Sequence, residues 1–274
     1  MSEFIFRILC LKEGLGVELH FVYYLFAFVF GSAIGSFLNV LIYRLPRQIS
    51  IIAPHSFCPK CRKAIRWYEN IPIISFLMLR GKCSNCHSRI SLRYPIVEAI
   101  TGLLFVYTLS RYGFGYNFFL IVYFFCGLTV ITFIDFSFQV IPDLISIPGI
   151  FLGILFQAVN GNFLAGLFGM LFGGGMILFI RVIGGKVYKK EVMGLGDVYL
   201  TAMIGAFVGF PFILPAIFIG ALVGATLGIL YIASTHQNRE SPIPFGPFLS
   251  LGGIAVVVFE PYIYKLFVLL GIYL

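Results

Sequence analysis

The chain contains three aspartates, and their positions suit chemistry in or beside a membrane. Asp135 and Asp143 bound the segment DFSFQVIPD, and Asp197 ends the segment GLGD. Asp135 closes a long apolar run near the C-terminus of a predicted helix, where the helix dipole disfavours a negative charge. Asp197 follows two glycines, which permit unusual backbone conformations and the close approach of another segment. An ionised carboxylate next to hydrocarbon is costly, so it persists only with a partner, with water or with a task.

Asp135 and Asp197 are expected to lie on one face of the membrane and to form a carboxylate dyad. Two like charges at close range cannot both ionise, so one carboxyl stays protonated while the other activates water. This is aspartic-protease chemistry. Asp143 has a second interpretation, because Pro142 and Asp143 suit the first turn of a helix, where the dipole favours an acid. Helix capping is at least as well supported for Asp143 as catalysis.

Two C-x-x-C segments, CPKC and CSNC, are separated by 21 residues. This spacing approximates a four-thiolate zinc site, in which two turns each offer two sulfurs to one ion. Such a site has no open coordination position, so the zinc is expected to be structural. Two disulfides or four unrelated thiols are the alternatives, and His55 and His87 are adjacent alternative ligands. The predicted ligands are Cys58, Cys61, Cys83 and Cys86.

The rest of the chain predicts an all-α polytopic membrane protein. Of its 274 residues, 60% are hydrophobic and 11% charged, with a mean hydropathy of +1.00. Soluble domains are roughly 45–50% apolar and about 25% charged. Runs of about 20 apolar residues cross a bilayer, and we count eight, with Pro211 dividing the longest. The predicted transmembrane helices are 20–43, 95–112, 117–136, 143–160, 163–183, 198–210, 211–234 and 247–273.

The distribution of basic residues predicts the orientation. Ten of the nineteen Lys and Arg residues lie between Arg44 and Arg93. A basic block beside membrane spans marks the cytoplasmic side more often than nucleic-acid binding, so lipid is the expected partner and nucleic acid is not. A cytoplasmic loop at 44–94 disfavours disulfides. It also puts all three aspartates at the cytoplasmic face. The predicted organisation is 1–43 as N-terminal segment and first helix, 44–94 as zinc loop and 95–274 as membrane-embedded protease core.

An ordered set of segments resembles the type IV prepilin peptidases, a family of GxGD aspartyl proteases in the membrane. It covers nearly the whole chain and is specific as a set rather than segment by segment. The segments are GSFLNVLIYRLP, CPKC, NIPIISF, GKCSNCHSRISLRYPIVEAITG, IDFSFQVIPD, MGLGDVYL and PFGPFLSLGG.

The resemblance implies that Asp135 and Asp197 are the catalytic pair. It implies a prepilin or pseudopilin substrate in the bacterial inner membrane, cut after a glycine at the end of a short basic leader. It also implies methylation of the new N-terminus with S-adenosylmethionine, and it makes Glu98 a candidate for binding that cofactor. The chain departs from the family at Tyr199, where GxGDxK members have lysine; a tyrosine hydroxyl can still donate a hydrogen bond.

Three other functions are compatible with parts of the pattern. Another GxGD intramembrane protease, resembling presenilins, explains the dyad but not the cysteine loop. A transporter or proton channel uses membrane acids as relay sites, but it predicts acids near the bilayer midplane and inverted repeats. A zinc-ribbon nucleic-acid binder on a membrane anchor does not need eight spans.

Overall fold

A computed structural model describes residues 15–53, 55–189, 193–235 and 244–271 of the chain. Within these ranges the regular structure is helical, and the only β pairing consists of two isolated bridges in the cysteine loop. The prediction of an all-α protein is confirmed for this part of the chain. The α-helices are α1 Leu15–Arg44, α2 Ile74–Met78, α3 Arg93–Tyr112, α4 Tyr116–Phe138, α5 Asp143–Val159, α6 Phe163–Tyr188, α7 Leu195–Val208, α8 Ile213–Thr235 and α9 Gly246–Leu269.

Each of the eight apolar segments forms a helix, but not every helix satisfies the requirements of a full span. Five helical stretches in the described residues are long and apolar enough to cross a bilayer. Helices α5 and α7 have 17 and 14 residues, and a rise of about 1.5 Å per residue makes both shorter than a hydrocarbon core of about 30 Å. The count of eight spans stays a prediction. The five are His20–Arg47, Tyr116–Phe138, Phe163–Tyr188, Ile213–Leu230 and Gly246–Leu269.

The predicted break in the longest apolar run is present. Helix α7 ends at Val208, and Gly209 follows with φ +75°, a conformation that favours glycine. Pro211 then prevents the helix from continuing, because it has no backbone N–H. Helix α8 starts at Ile213, so two helices replace one long one.

The chain divides into two compact units. Among the described residues, unit 1 comprises those up to 41 and those within 50–122, and unit 2 comprises those at 42–49 and those from 123 onwards. In unit 1, helices α1 and α3 approach closely through small residues. A Cβ atom added at Gly31 would lie 2.7 Å from Phe105 Cβ, and one added at Gly35 would lie 2.8 Å from Glu98 Cα. Glycines spaced four apart are therefore packing contacts here, as such spacing in membrane helices predicts.

Helix α7 is the centre of unit 2. Residues 200–207 are all buried, and α7 packs against α5, α6, α8 and α9. A helix that is apolar on every face is expected to be surrounded in this way. Its contact with α6 is close enough that a Cβ atom on Gly205 would lie 2.1 Å from the carbonyl oxygen of Gly169. The N-terminus of this central helix carries Asp197.

Candidate active site and metal centre

Asp135 lies in the last turn of α4 and is 5% exposed. Its Oδ2 atom accepts a hydrogen bond of 3.0 Å from the backbone amide of Gly246, the first residue of α9. The positive end of the α9 dipole and this N–H supply the compensation that the end of α4 lacks. A Cβ atom on residue 246 would lie 2.6 Å from Asp135 Oδ2, so only glycine leaves room for the contact.

Asp197 is the third residue of α7 and is half-buried. Its Oδ2 atom accepts a hydrogen bond of 3.1 Å from the backbone amide of Gly194, the residue that precedes the helix. An acid that bonds back to the N-cap amide is an ordinary way to begin a helix. Taken alone, this hydrogen bond indicates that Asp197 stabilises the start of α7, and it does not indicate a catalytic role.

The two acids are brought together by three segments that meet around Ile141. The carboxylates of Asp135 and Asp197 are close enough to interact electrostatically. A Cβ atom on Gly196 would lie 2.8 Å from Ile141 Cβ, and one on Gly246 would lie 3.2 Å from Ile141 Cδ1. The link after α4 and the N-termini of α7 and α9 therefore converge at the dyad, which can act as an acid–base pair.

Asp143 lies near the dyad in sequence but is not hydrogen-bonded to it. It is the first residue of α5, as the first-turn interpretation predicted, and its side chain is exposed. The N-cap position belongs to Pro142, and no described residue hydrogen-bonds to the Asp143 side chain. Asp143 therefore does not cap α5 through a hydrogen bond. It places a negative charge at the end of the helix where the dipole favours one.

Tyr199 and Arg47 are two further residues of this region. Tyr199 is half-buried, and among the described residues its hydroxyl has no hydrogen-bond partner. The Arg47 guanidinium lies 4.2 Å from the Tyr43 ring and 4.8 Å from the Phe138 ring. Such contacts are attractive, and this one holds the end of α4 three residues after Asp135. Sequence reasoning missed both Arg47 and Gly246, although Gly246 lies in the segment PFGPFLSLGG.

The four cysteines of the loop form one cluster. Their Sγ atoms all lie within 4.8 Å of one another, with Cys58–Cys86 and Cys61–Cys83 separations of 3.9 and 4.0 Å. Zinc–sulfur bonds of about 2.3 Å in tetrahedral geometry place sulfurs about 3.8 Å apart. The four thiols therefore fit a tetrahedral zinc ion.

Both C-x-x-C segments have the same local fold, and His87 closes one of the two turns. The amide four residues after the first cysteine bonds back to that cysteine's carbonyl, from Arg62 to Cys58 and from His87 to Cys83. Arg62 and His87 both have positive φ, 58° and 53°. His87 thus closes its turn as Arg62 does in the other turn, and the metal cluster contains neither it nor His55.

The thiol of Cys86 is suited to metal binding. Its Sγ atom lies 3.1 Å from the Ser88 hydroxyl oxygen. Hydrogen bonds from the hydroxyl and the backbone amide of Ser88 lower the pKa of the Cys86 thiol to about 6. The thiolate, which is the form that binds metal, is therefore favoured at neutral pH.

Glu98 belongs to a different part of the chain from the dyad. It lies in α3 of unit 1 and is 7% exposed. Its Oε2 atom accepts a hydrogen bond of 2.7 Å from the backbone amide of Ile73, and its carboxylate accepts another from the Ser36 hydroxyl. The carboxylate is therefore held in place by the loop and by α1.

Two family models match the chain. The Bacterial Peptidase A24 N-terminal domain matches residues 29–112, and the Type IV leader peptidase family matches residues 122–229. The first match covers Glu98 and the four cysteines, and the second covers both acids of the dyad. No solved structure matches the chain.

Three curated relatives that the chain matches share the name prepilin leader peptidase/N-methyltransferase. One from Pseudomonas aeruginosa is 33% identical over 252 residues, covering 81% of this chain and 86% of the relative. One from Stutzerimonas stutzeri is 35% identical over 252 residues, covering 83% of this chain and 87% of the relative. A Myxococcus xanthus relative is 39% identical over 214 residues, covering 77% of this chain but only 64% of the relative.

Proposed function

Because the chain belongs to the type IV leader peptidase family, we propose that it removes the leader of prepilins or pseudopilins as an intramembrane aspartyl endopeptidase. Asp135 and Asp197 are its catalytic pair. The observation that carries this assignment is that two acids from separate helices are close enough to interact electrostatically, and each accepts a hydrogen bond from a backbone amide.

The dyad works as an acid and a base that share one proton. The ionised carboxylate takes a proton from water while the water oxygen bonds to the carbonyl carbon of the scissile peptide. The protonated carboxyl gives its proton to the carbonyl oxygen. Collapse of the tetrahedral diol breaks the C–N bond, and the leaving amine takes up the proton that the first carboxylate removed from water.

The positions of the acids within their helices favour a protease over a transporter. Asp135 is in the last turn of α4 and Asp197 in the first turn of α7. A relay through the membrane needs acids near the midplane. The basic loop at 44–94 supports a cytoplasmic location for this end of the helices, in a bacterial inner membrane, where the leader of a substrate is accessible.

The second activity is methylation of the amino terminus that cleavage exposes. S-adenosylmethionine supplies the methyl group, and Glu98 belongs to the site that binds this cofactor. The four-cysteine cluster holds one structural zinc, which ties the two C-x-x-C turns of the loop together. A closed thiolate site contributes folding energy and no catalysis.

The decisive experiment is mass spectrometry of a candidate prepilin after co-expression with the wild-type chain or a variant. The wild type should yield a mature pilin shortened at its leader and carrying one methyl group. Asp135→Asn and Asp197→Asn should each abolish cleavage while the protein stays folded in detergent. Asp143→Asn is the matched acid-to-amide control and should still cleave. Near-normal cleavage by either dyad variant would remove that residue from the mechanism.

The metal is tested separately by elemental analysis of the purified protein, with an expected content of one zinc per chain. Free alkylation of all four cysteines under native conditions, together with no zinc, would contradict the assignment.

A further inference from the structure

Unpaired polar atoms are concentrated in one helix pair. Within the described residues, four buried side-chain atoms lack a hydrogen-bond partner, and three of them belong to α1 and α3 of unit 1. Buried polar atoms without partners are few in native proteins, and each calls for an explanation such as a missing ligand. The three are Ser32 Oγ, Asn39 Oδ1 and Arg93 Nε.

Asn39 presents an acceptor that nothing in the described chain uses. The residue is 2% exposed, and its Nδ2 atom donates to the carbonyl oxygens of Gly35 at 3.3 Å and Tyr94 at 3.1 Å. These two donations fix the orientation of the amide, so Oδ1 is the unpaired atom. It needs a donor, and no described group supplies one.

Glu98 presents a buried carboxylate without a cation. Its described partners are the Ile73 amide and the Ser36 hydroxyl, which leave acceptor positions free. Among the described residues no positively charged side chain interacts with it. A buried carboxylate normally pairs with a positive charge. Asn39 and Glu98 therefore leave acceptor positions that no described donor uses.

The two acceptors belong to adjacent turns of the same helix contact. Asn39 bonds to the carbonyl of Tyr94, and Glu98 follows four residues later, on the same face of α3. Ser36, which bonds to Glu98, lies three residues before Asn39 on α1. Gly35 allows this proximity, since its Cβ atom would lie 2.8 Å from Glu98 Cα.

The loop segment that reaches Glu98 is held in an uncommon conformation. Ile73 has φ 61° and ψ −49°, and the amide of Ile74 bonds to the carbonyl of Pro72 at 2.5 Å. This is a γ-turn of the rare positive-φ form, which is strained, above all for a β-branched residue. Such strain persists when the surroundings impose it, and it clusters at ligand clamps. Here it aims the Ile73 amide at the Glu98 carboxylate.

We propose that Asn39 and Glu98 form a binding site for a primary ammonium group, an inference that rests on the proposed methyl transfer. An ammonium brings one positive charge and three N–H donors, which match one unpaired amide oxygen and one uncompensated carboxylate. The reaction offers two such groups: the new N-terminus of the cleaved pilin and the amino-acid end of S-adenosylmethionine. Both present the same chemistry to the site.

Equilibrium binding to the full chain in detergent tests the proposal and separates the two sources. The first arm compares a peptide with the mature, apolar N-terminus and a free amine against the same peptide N-acetylated. The second compares S-adenosylmethionine with 5′-methylthioadenosine, which lacks the amino-acid end. For whichever ligand occupies the site, Glu98→Gln and Asn39→Leu should each lower the affinity for its amine-bearing form at least tenfold. The affinity for the form without a free amine should not change.

Thr108→Val is the matched control, because Thr108 is buried in α3 and its hydroxyl bonds only within the helix, to the Leu104 carbonyl. It should bind both ligands as the wild type does. Equal affinity of the wild type for amine-bearing and blocked ligands in both arms would overturn the proposal. So would a loss that affects both ligands equally and accompanies a fall in Tm, since that marks a packing role.

Neither arm needs turnover, so failure of the binding test can be distinguished from failure of the proposed function. A wild-type chain that neither cleaves nor methylates would refute that function alone, and the ammonium preference would still be measurable.

Discussion

At the scale of the residue, the contact between Gly246 and Asp135 leaves no room for a side chain at position 246. Gly246→Ala puts a methyl group 2.6 Å from Asp135 Oδ2, so either the carboxylate or the start of α9 has to move. A displacement of about 1 Å at a reacting group can lower a rate about 100-fold, and we expect a loss of that order in kcat. Initial rates of prepilin cleavage in detergent measure it.

Gly115→Ala is the control for this substitution. Apart from its chain neighbours, no described residue has an atom within 4 Å of the position a Cβ would take at Gly115, so cleavage should stay at the wild-type rate. An unchanged rate in Gly246→Ala would mean that the Asp135 carboxylate does not depend on this contact.

Substitution of Asp143, unlike substitution of Gly246, is expected to change the cleavage rate little. Its side chain is exposed and gains only a favourable position in the α5 dipole, an effect of about 0.3–1 kcal/mol. Asp143→Asn should therefore keep substantial cleavage activity and lower Tm by no more than a few degrees. Peptidase assays and thermal unfolding in detergent measure both. Loss of cleavage in a folded variant would instead give Asp143 a direct role with the substrate.

Single residues also show what the sequence could predict. The close approach expected at the glycines before Asp197 occurs at Gly196, which Ile141 contacts, but the expected unusual conformation does not: Gly194 has φ −72°. The donor to Asp135 could not be found, because Gly246 is 111 residues away. Local patterns predict helices and their ends, whereas contacts between distant segments need the packed structure.

At the scale of the element, α7, which carries Asp197, approaches α6 closely at Gly205 and Gly169. Gly205→Ala puts a Cβ atom 2.1 Å from the Gly169 carbonyl oxygen, which forces the helices apart. Overpacking of this kind typically costs about 1–3 kcal/mol. We expect a lower Tm together with slower cleavage, measured by thermal unfolding and prepilin cleavage in detergent.

Gly175→Ala, on the same helix α6, is the matched control. Apart from the local backbone of α6, no described residue has an atom within 4 Å of the position its Cβ would take, so it should not lower Tm. Equal Tm values for Gly205→Ala and Gly175→Ala would mean that the Gly169–Gly205 contact is not important for stability.

The helices and the cysteine loop also show which features could be predicted from the sequence and which could not. The eight apolar runs form helices whose described ends lie close to the expected ones, and the longest run is broken at Pro211. Both features were predictable because hydrophobic length and proline act locally. The four-cysteine cluster was predictable from spacing alone. The same spacing favoured the cysteines over His55 and His87 as ligands. The turn that His87 closes, with its positive φ, was not predictable.

At the scale of the whole molecule, the two proposed activities belong to different compact units. Asp135 and Asp197 lie in unit 2, whereas Glu98 and the cysteines lie in unit 1. Cys83→Ser should lower zinc content and methyl transfer more than cleavage. Asp197→Asn should abolish cleavage yet still methylate a peptide supplied already cleaved. Parallel assays of both activities, with zinc measured on the same samples, test this separation.

A single lesion that removed both activities from a folded protein would show that the units do not work independently. Matched loss in Cys83→Ser would point to the loop as a support for the dyad, and matched loss in Asp197→Asn would make cleavage a condition for methylation.

The hydrogen bond from Gly246 to Asp135 has a consequence for the biosynthesis of the protein. A ribosome delivers α4 to the membrane long before α9, because 111 residues separate donor from acceptor. During that interval the carboxylate has neither the amide nor the helix N-terminus that later holds it. Because we propose Asp135 as a catalytic acid, we expect peptidase activity to begin only after α9 has been inserted.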